Sequence, residues 1–266
     1  MKTGFIFFCF FFGALVEGYS QTGISVSPPR VYFELGPGQT GTEKVSVTNA
    51  SKTATLDLAV SLSDWQYDEN GNNVILPADS LRSSFAKWVV VREGSYFSLK
   101  PGETRDLTVN IVVPPVLPED ISTYTALLFV SQMNPVDDVN AQGSTIKISV
   151  RSGIKLYLRP TVRPKESRIE ITGLKFDSPQ RQLRLEFSSK SNVWTDGLIY
   201  TDLLNTGTGK TVKIEEAAFR TLPGDRRVMF ISLPPGLAKG NYTATVMMDY
   251  GNESEIEAAE LKFIYD

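Results

Sequence analysis

The chain has 266 residues, with 27 Lys and Arg against 30 Asp and Glu, a net charge of −3 and no basic run, which argues against a nucleic-acid binder. Histidine is absent and there is one cysteine, so Ser-His-Asp, Cys-His and imidazole-metal chemistry lack their residues. The length suits two modest domains with packed cores.

Residues 1–20 read as a secretory signal peptide. Lys2 supplies the positive start, residues 5–16 are an apolar run too short for a membrane span, and Gly18 and Ser20 are small residues before a cut near Ser20/Gln21. Cys9 follows Phe8, which does not fit a lipoprotein cut, and it leaves with the peptide. The mature chain then has no cysteine and rests on its cores rather than on disulfides.

The remainder reads as short strands with turn signals between them and no helical periodicity of useful length. Residues 24–35 are extended but broken at Pro28-Pro29, where the missing N–H places an edge or a bend. Residues 43–49 alternate, with Val45 and Val47 on one face. Residues 56–65 alternate through Leu56, Leu58, Val60 and Leu62, then slip in phase to Trp65. Asp68-Glu69-Asn70-Gly71-Asn72 predicts a hairpin, its Asn-Gly suited to a type I′ turn. Residues 83–91, 96–99, 107–113 and 124–130 are further strands. Two prolines and a cluster of basic residues at 159–165 mark a boundary. Beyond it, about seven more strands follow, with turns at 205–210 and 222–225. The expected fold class is all-β: two immunoglobulin-like β-sandwiches, residues 21–160 and residues 161–266.

Candidate chemistry is sparse. The carboxylates fall on turns and outward strand faces; Asp137-Asp138 lies in an expected polar loop and Glu215-Glu216 at an expected strand end, both read as solvated surface. Glu253, Glu255, Glu257 and Glu260 form an acidic patch without the loop spacing of a calcium cage. Gly207-Thr208-Gly209-Lys210 lacks the context of a phosphate loop and reads as a hairpin turn. Asn49, Asn241 and Asn252 begin glycosylation sequons. Trp65 and Trp88 are expected in the first core and Trp194 in the second. No catalytic residue, cofactor or metal ligand is assigned, and an enzyme is not expected.

The most informative stretch is residues 144–160. Ile146, Ile148 and Val150 point one way, and Lys147, Ser149 and Arg151 the other. Alternation alone fits an ordinary half-buried core strand, and it equally fits a strand that lends its apolar row to a partner. Strict alternation places Lys155 opposite that row, so a bulge or bend at Gly153 is the expected means of re-aiming it.

Several motifs, in order, resemble the N-terminal domain of periplasmic pilus (fimbrial) assembly chaperones, the PapD-like family. They are Ser27-Pro28-Pro29-Arg30-Val31-Tyr32-Phe33, Asp64-Trp65, Tyr96-Phe97-Ser98-Leu99-Lys100-Pro101-Gly102-Glu103-Thr104, Leu117-Pro118-Glu119-Asp120-Ile121-Ser122-Thr123-Tyr124 and Ile154-Lys155-Leu156-Tyr157-Leu158-Arg159-Pro160. Together they span residues 24–160. The resemblance implies two immunoglobulin-like domains meeting at an angle with the client in the cleft. It implies a periplasmic, ATP-independent chaperone that donates its G1 strand to an incomplete subunit sandwich. Ile146, Ile148 and Val150 would then be the donated side chains, and Arg30 and Lys155 would anchor the client's C-terminal carboxylate. The implied partners are a pilus or fimbrial-type subunit or a similar exported β-protein, and an outer-membrane assembly platform. Self-association through the exposed apolar edge is also open. The sequence departs from the family in its acidic balance, in Thr125-Ala126-Leu127 on the sixth strand, and in a second half that looks more like divergent Bacteroidetes-type members. The alternative is a secreted or envelope structural or adhesion protein of immunoglobulin-like modules. That alternative predicts a G1 strand fully covered within the monomer.

Overall fold

A computed structural model of the protein describes residues 23–139, 144–162, 164–251 and 256–266. The proposed signal peptide, the Asn252 sequon, Glu253 and Glu255 lie outside the described residues. No described helix is long and apolar enough to cross a membrane.

The first half carries β1 (Ile24–Ser27), β2 (Arg30–Leu35), β3 (Thr40–Asn49), β4 (Leu56–Tyr67), β5 (Asn73–Pro77), β6 (Val89–Val91), β7 (Tyr96–Leu99), β8 (Thr104–Val112), β9 (Tyr124–Gln132), β10 (Val136–Val139), β11 (Thr145–Ile148) and β12 (Arg151–Pro160). One sheet runs β1-β3-β8-β6, and the facing one runs β2-β12-β9-β4-β5 with β7 also on β4. The Pro28-Pro29 pair works as a sheet switch. Before it the chain pairs antiparallel with β3; after it β2 pairs parallel with β12 in the other sheet. Two consecutive residues without a backbone N–H cannot continue a ladder, so the crossing falls there.

The inward faces form one apolar cluster, including Val45, Val47, Leu56, Leu58, Leu107, Val109, Ile111, Leu128, Ile154, Leu156 and Leu158. Trp88 packs on it, as expected. The second half carries β13 (Ile169–Asp177), β14 (Gln182–Ser189), β15 (Thr195–Asn205), β16 (Thr211–Thr221), β17 (Arg226–Ser232), β18 (Gly240–Asp249) and β19 (Glu257–Tyr265). Sheet β13-β14-β17 faces sheet β16-β15-β18-β19 over a separate core that includes Leu183, Leu185, Phe187, Phe219, Val246 and Met248. The protein is therefore all-β and built of two sandwiches.

Several local expectations are corrected. Trp65 is fully buried, but on the outer face of its sheet with Leu127, Phe129 and Tyr157, and Trp194 packs there rather than in the second core. The expected phase slip after Leu62 is absent: β4 pairs without a register shift through Trp65, and unbroken alternation leaves Trp65 on the face opposite Leu56 and Leu58. Asp64 is not surface: it is wholly buried, accepting hydrogen bonds from Leu81 N–H (2.9 Å) and the Ser84 hydroxyl (2.6 Å). The turn at residues 68–72 is not type I′, because only Gly71 has a positive φ (86°). Gly71 N–H bonds to Asp68 O and Asp68 N–H to Asn72 O, the three-residue hairpin with a left-handed glycine.

Asp137-Asp138 belongs to a strand, β10, which pairs with β11. Glu215-Glu216 sits inside β16, where the register against β15 slips between Ala217 and Ile214, a bulge rather than a strand end. Asn49 is fully buried, its amide donating to the Ala54, Leu99 and Lys100 carbonyls, so the asparagine of that sequon is not presented to solvent.

Candidate functional site

Among the described residues, β10 and β11 pair only with each other, as a two-stranded ladder outside both sandwiches, with Val136 opposite Ile148 and Asp138 opposite Ile146. Ile146 is 38% exposed, and Ile148 and Val150 are half-buried. None of the three belongs to either core cluster.

The strand is interrupted between Ile148 and Arg151, and buried Gln132 secures the interruption. Its side-chain oxygen accepts Val150 N–H (3.2 Å) and its carbonyl accepts the Ser149 hydroxyl (2.7 Å). Pairing then runs without a slip from Arg151 to Leu158. The expected bulge at Gly153 is thus absent, and the break lies three residues earlier. Gly153 has another purpose: a Cβ there would come within 3.1 Å of Phe129 Cε1. The space goes to the Phe129 ring, over which the Arg151 guanidinium lies at 3.4 Å.

Along β12, Ile154, Leu156 and Leu158 enter the first core, so Lys155 and Tyr157 take the opposite face. Lys155 stands in register with Arg30 on the parallel neighbour β2, and its N–H bonds to Pro29 O (3.1 Å). The sheet switch therefore delivers Arg30 beside Lys155.

Among the described residues, the Lys155 ammonium forms no ion pair with a carboxylate. It lies 3.8 Å from the Trp65 ring centroid and 4.3 Å from that of Tyr67. It donates to the Tyr67 hydroxyl (3.0 Å) and to Asn73 Oδ1 (2.7 Å). Burial first, and then the nearby guanidinium groups of Arg30 and Arg220, push the Lys155 ammonium down to about 8. Arg30 Nε is buried without a hydrogen-bond partner among the described residues.

Tyr32, Tyr157 and Trp194 line the same face, Trp194 lying 5.1 Å from Tyr32 and 5.4 Å from Tyr157 between ring centroids. Burial raises the Tyr67 and Tyr157 hydroxyls above the ordinary tyrosine value, so both stay neutral. The second sandwich supplies Arg220 and Arg227 together with two carboxylates, Asp196, 3.8 Å from Arg220, and Asp225, which neighbours Arg227. Cations from both sandwiches thus gather over an aromatic floor, a low-dielectric setting in which charge pairing is stronger than in water.

Sequence reasoning named Arg30 and Lys155 but missed Tyr67, Asn73, Arg220 and Arg227. One signal was present: Trp65 and Tyr67 are two residues apart on β4, hence on one face. The others come from elements whose proximity only the fold creates.

No family model matches the chain, and no curated protein matches it. The solved structures it is similar to include the CsuC-CsuE chaperone–tip adhesion subunit pre-assembly complex from archaic chaperone-usher Csu pili of Acinetobacter baumannii, at 13% identity over 90% of this chain and 98% of that one, TM-score 0.49. They include the E. coli chaperone DraB, at 20% identity over 90% and 98%, TM-score 0.45. A third is the Salmonella enterica SafA pilin in complex with the SafB chaperone, at 16% identity over 92% and 99%, TM-score 0.46.

Proposed function

We propose that the protein is a periplasmic chaperone for pilus or fimbrial-type subunits, or for a similar exported β-protein, and that it belongs with the PapD-like chaperones. It acts without ATP and without a catalytic step. β11 donates its backbone edge and the row Ile146, Ile148 and Val150 to a client lacking a strand. Arg30 and Lys155 receive the client's terminal carboxylate, and an outer-membrane assembly platform takes the loaded complex.

One observation carries this reading: a strand that, among the described residues, pairs only with β10 and with no sandwich sheet leads directly into a strand bearing a lysine in register with an arginine whose Nε has no hydrogen-bond partner among those residues. A free edge of that kind is a liability unless it has a partner. The alternative, a structural or adhesion module, expects this strand to be covered within the monomer, and the exposure of Ile146 speaks against it.

The test is a pull-down from native envelope extract with tagged wild type and with Ile148→Asp. Co-purification of a subunit with an incomplete sandwich by wild type alone supports strand donation. Equal capture by the variant, with its thermal midpoint unchanged, sinks it.

A further inference from the structure

The Lys155 ammonium is held by a cross-strand pair. Tyr67 on β4 and Asn73 on β5 face each other in the antiparallel register, and each accepts a hydrogen bond from the same nitrogen, at 3.0 and 2.7 Å. A long flexible side chain with two acceptors, and with the Trp65 ring beneath it, has little rotamer freedom left to lose when a partner arrives.

The hairpin that carries this pair is itself held by the other sandwich. Arg227 of β17 is 94% buried by virtue of its 6% exposure, and its guanidinium lies 4.8 Å over the Tyr67 ring and donates to Asp68 O at 3.3 Å. The next residue, Val228, donates its N–H to Glu69 O at 2.7 Å. Gly71 completes the fit, since a Cβ there would occupy the place of the Arg227 guanidinium.

We propose that Tyr67 and Asn73 are positioning residues for Lys155, and that Arg227 makes this positioning depend on the docking of the second sandwich against the β4–β5 hairpin. The inference rests on the carboxylate-anchor role of Lys155, and it assigns the second sandwich a part in building the anchor. The charged and titratable groups facing Lys155 are Arg30 and Tyr32 from β2, Tyr67 from β4, Tyr157 from β12, Asp196 from β15, Arg220 from β16 and Arg227 from β17.

The test follows the Lys155 titration by NMR in full-length protein labelled at lysine Cε. Acceptors of the ammonium favour its charged form, so Asn73→Ala and Tyr67→Phe should each lower the midpoint by roughly half a unit, about threefold in proton affinity. Asn73→Asp, which keeps an acceptor in place and adds charge, should raise it above wild type. Arg227→Lys retains the charge but not the planar fork that covers Tyr67 and reaches Asp68. It should lower the midpoint in the same direction as Asn73→Ala. Midpoints unchanged in both Asn73→Ala and Tyr67→Phe would overturn the positioning role. An unchanged midpoint in Arg227→Lys would overturn the dependence on the second sandwich. These titrations use no client. Failure of strand donation, read from Ile148→Asp, is therefore separable from failure of the cradle.

Discussion

Lys155 faces Arg30 across two parallel strands, and among the described residues no carboxylate is bonded to the lysine. Burial and the neighbouring guanidinium groups push the Lys155 ammonium down to about 8. An incoming carboxylate raises it again, so binding above that pH takes up a proton. Affinity for a captured subunit should therefore be level below about pH 8 and fall toward tenfold per unit above it. Lys155→Arg should flatten the profile, because arginine stays charged. The check is binding measured from pH 6.5 to 9.5; a flat wild-type profile refutes the anchor. For stability the sign is opposite. The unfolded chain holds this proton more tightly, so the lysine's contribution to unfolding free energy rises with pH between about 8 and 10.5.

Lys155→Ala should weaken capture by roughly tenfold to a hundredfold, the range of about 1.5–3 kcal/mol for a hydrogen bond to a charged group. Titration calorimetry with the purified subunit reads this directly. Retained affinity would mean that the client's carboxylate lies elsewhere.

Trp194 joins the sandwiches by packing on Tyr32 and Tyr157. Trp194→Ala should cost roughly 1–2 kcal/mol for a half-buried aromatic. Calorimetric scans should then separate into two transitions where the wild type unfolds with its halves coupled. A single unshifted transition would show that this contact does not couple them.

Asp64 anchors the segment after β5 through Leu81 and Ser84. Asp64→Ala deprives the partly buried Leu81 N–H and the Ser84 hydroxyl of their acceptor and should destabilise the protein by about 2–3 kcal/mol; Asp64→Asn, which keeps an acceptor, should cost less. Urea midpoints give the comparison, and equal midpoints for the two variants would count against the hydrogen-bond account.

Gly153→Val should displace Phe129 and cost roughly 1–3 kcal/mol by overpacking. If Gly153 were instead a bend, valine would be tolerated in the straightened strand and the midpoint would hold.

The two-sandwich architecture was legible because alternation and turn chemistry are local. Val45 and Val47, Leu107 and Val109, and Leu183 and Leu185 reach the cores their spacing implies. What covers an outer face is not local. Trp65 and Trp194 look like core residues in sequence, yet meet around Tyr157 between the halves. Asp64 looked solvated because most aspartates are, and its partners lie 17 and 20 residues away. Alternation also gave no reason to single out Lys155 from other outward lysines. Its identification came from resemblance in motif order, and its surroundings came from the fold.

The sheet switch at Pro28-Pro29 has one more consequence. Arg30 begins the strand that has just left one sheet, and Lys155 sits on the other sheet's established strand. Having crossed, β2 pairs with β12 in one sheet, so sliding β2 along β12 by one residue would turn Arg30 to the face opposite Lys155. The pairing of the two charges therefore reports the register of the strand that crossed. A chain that kept its strands but lost that register would also lose its paired cations.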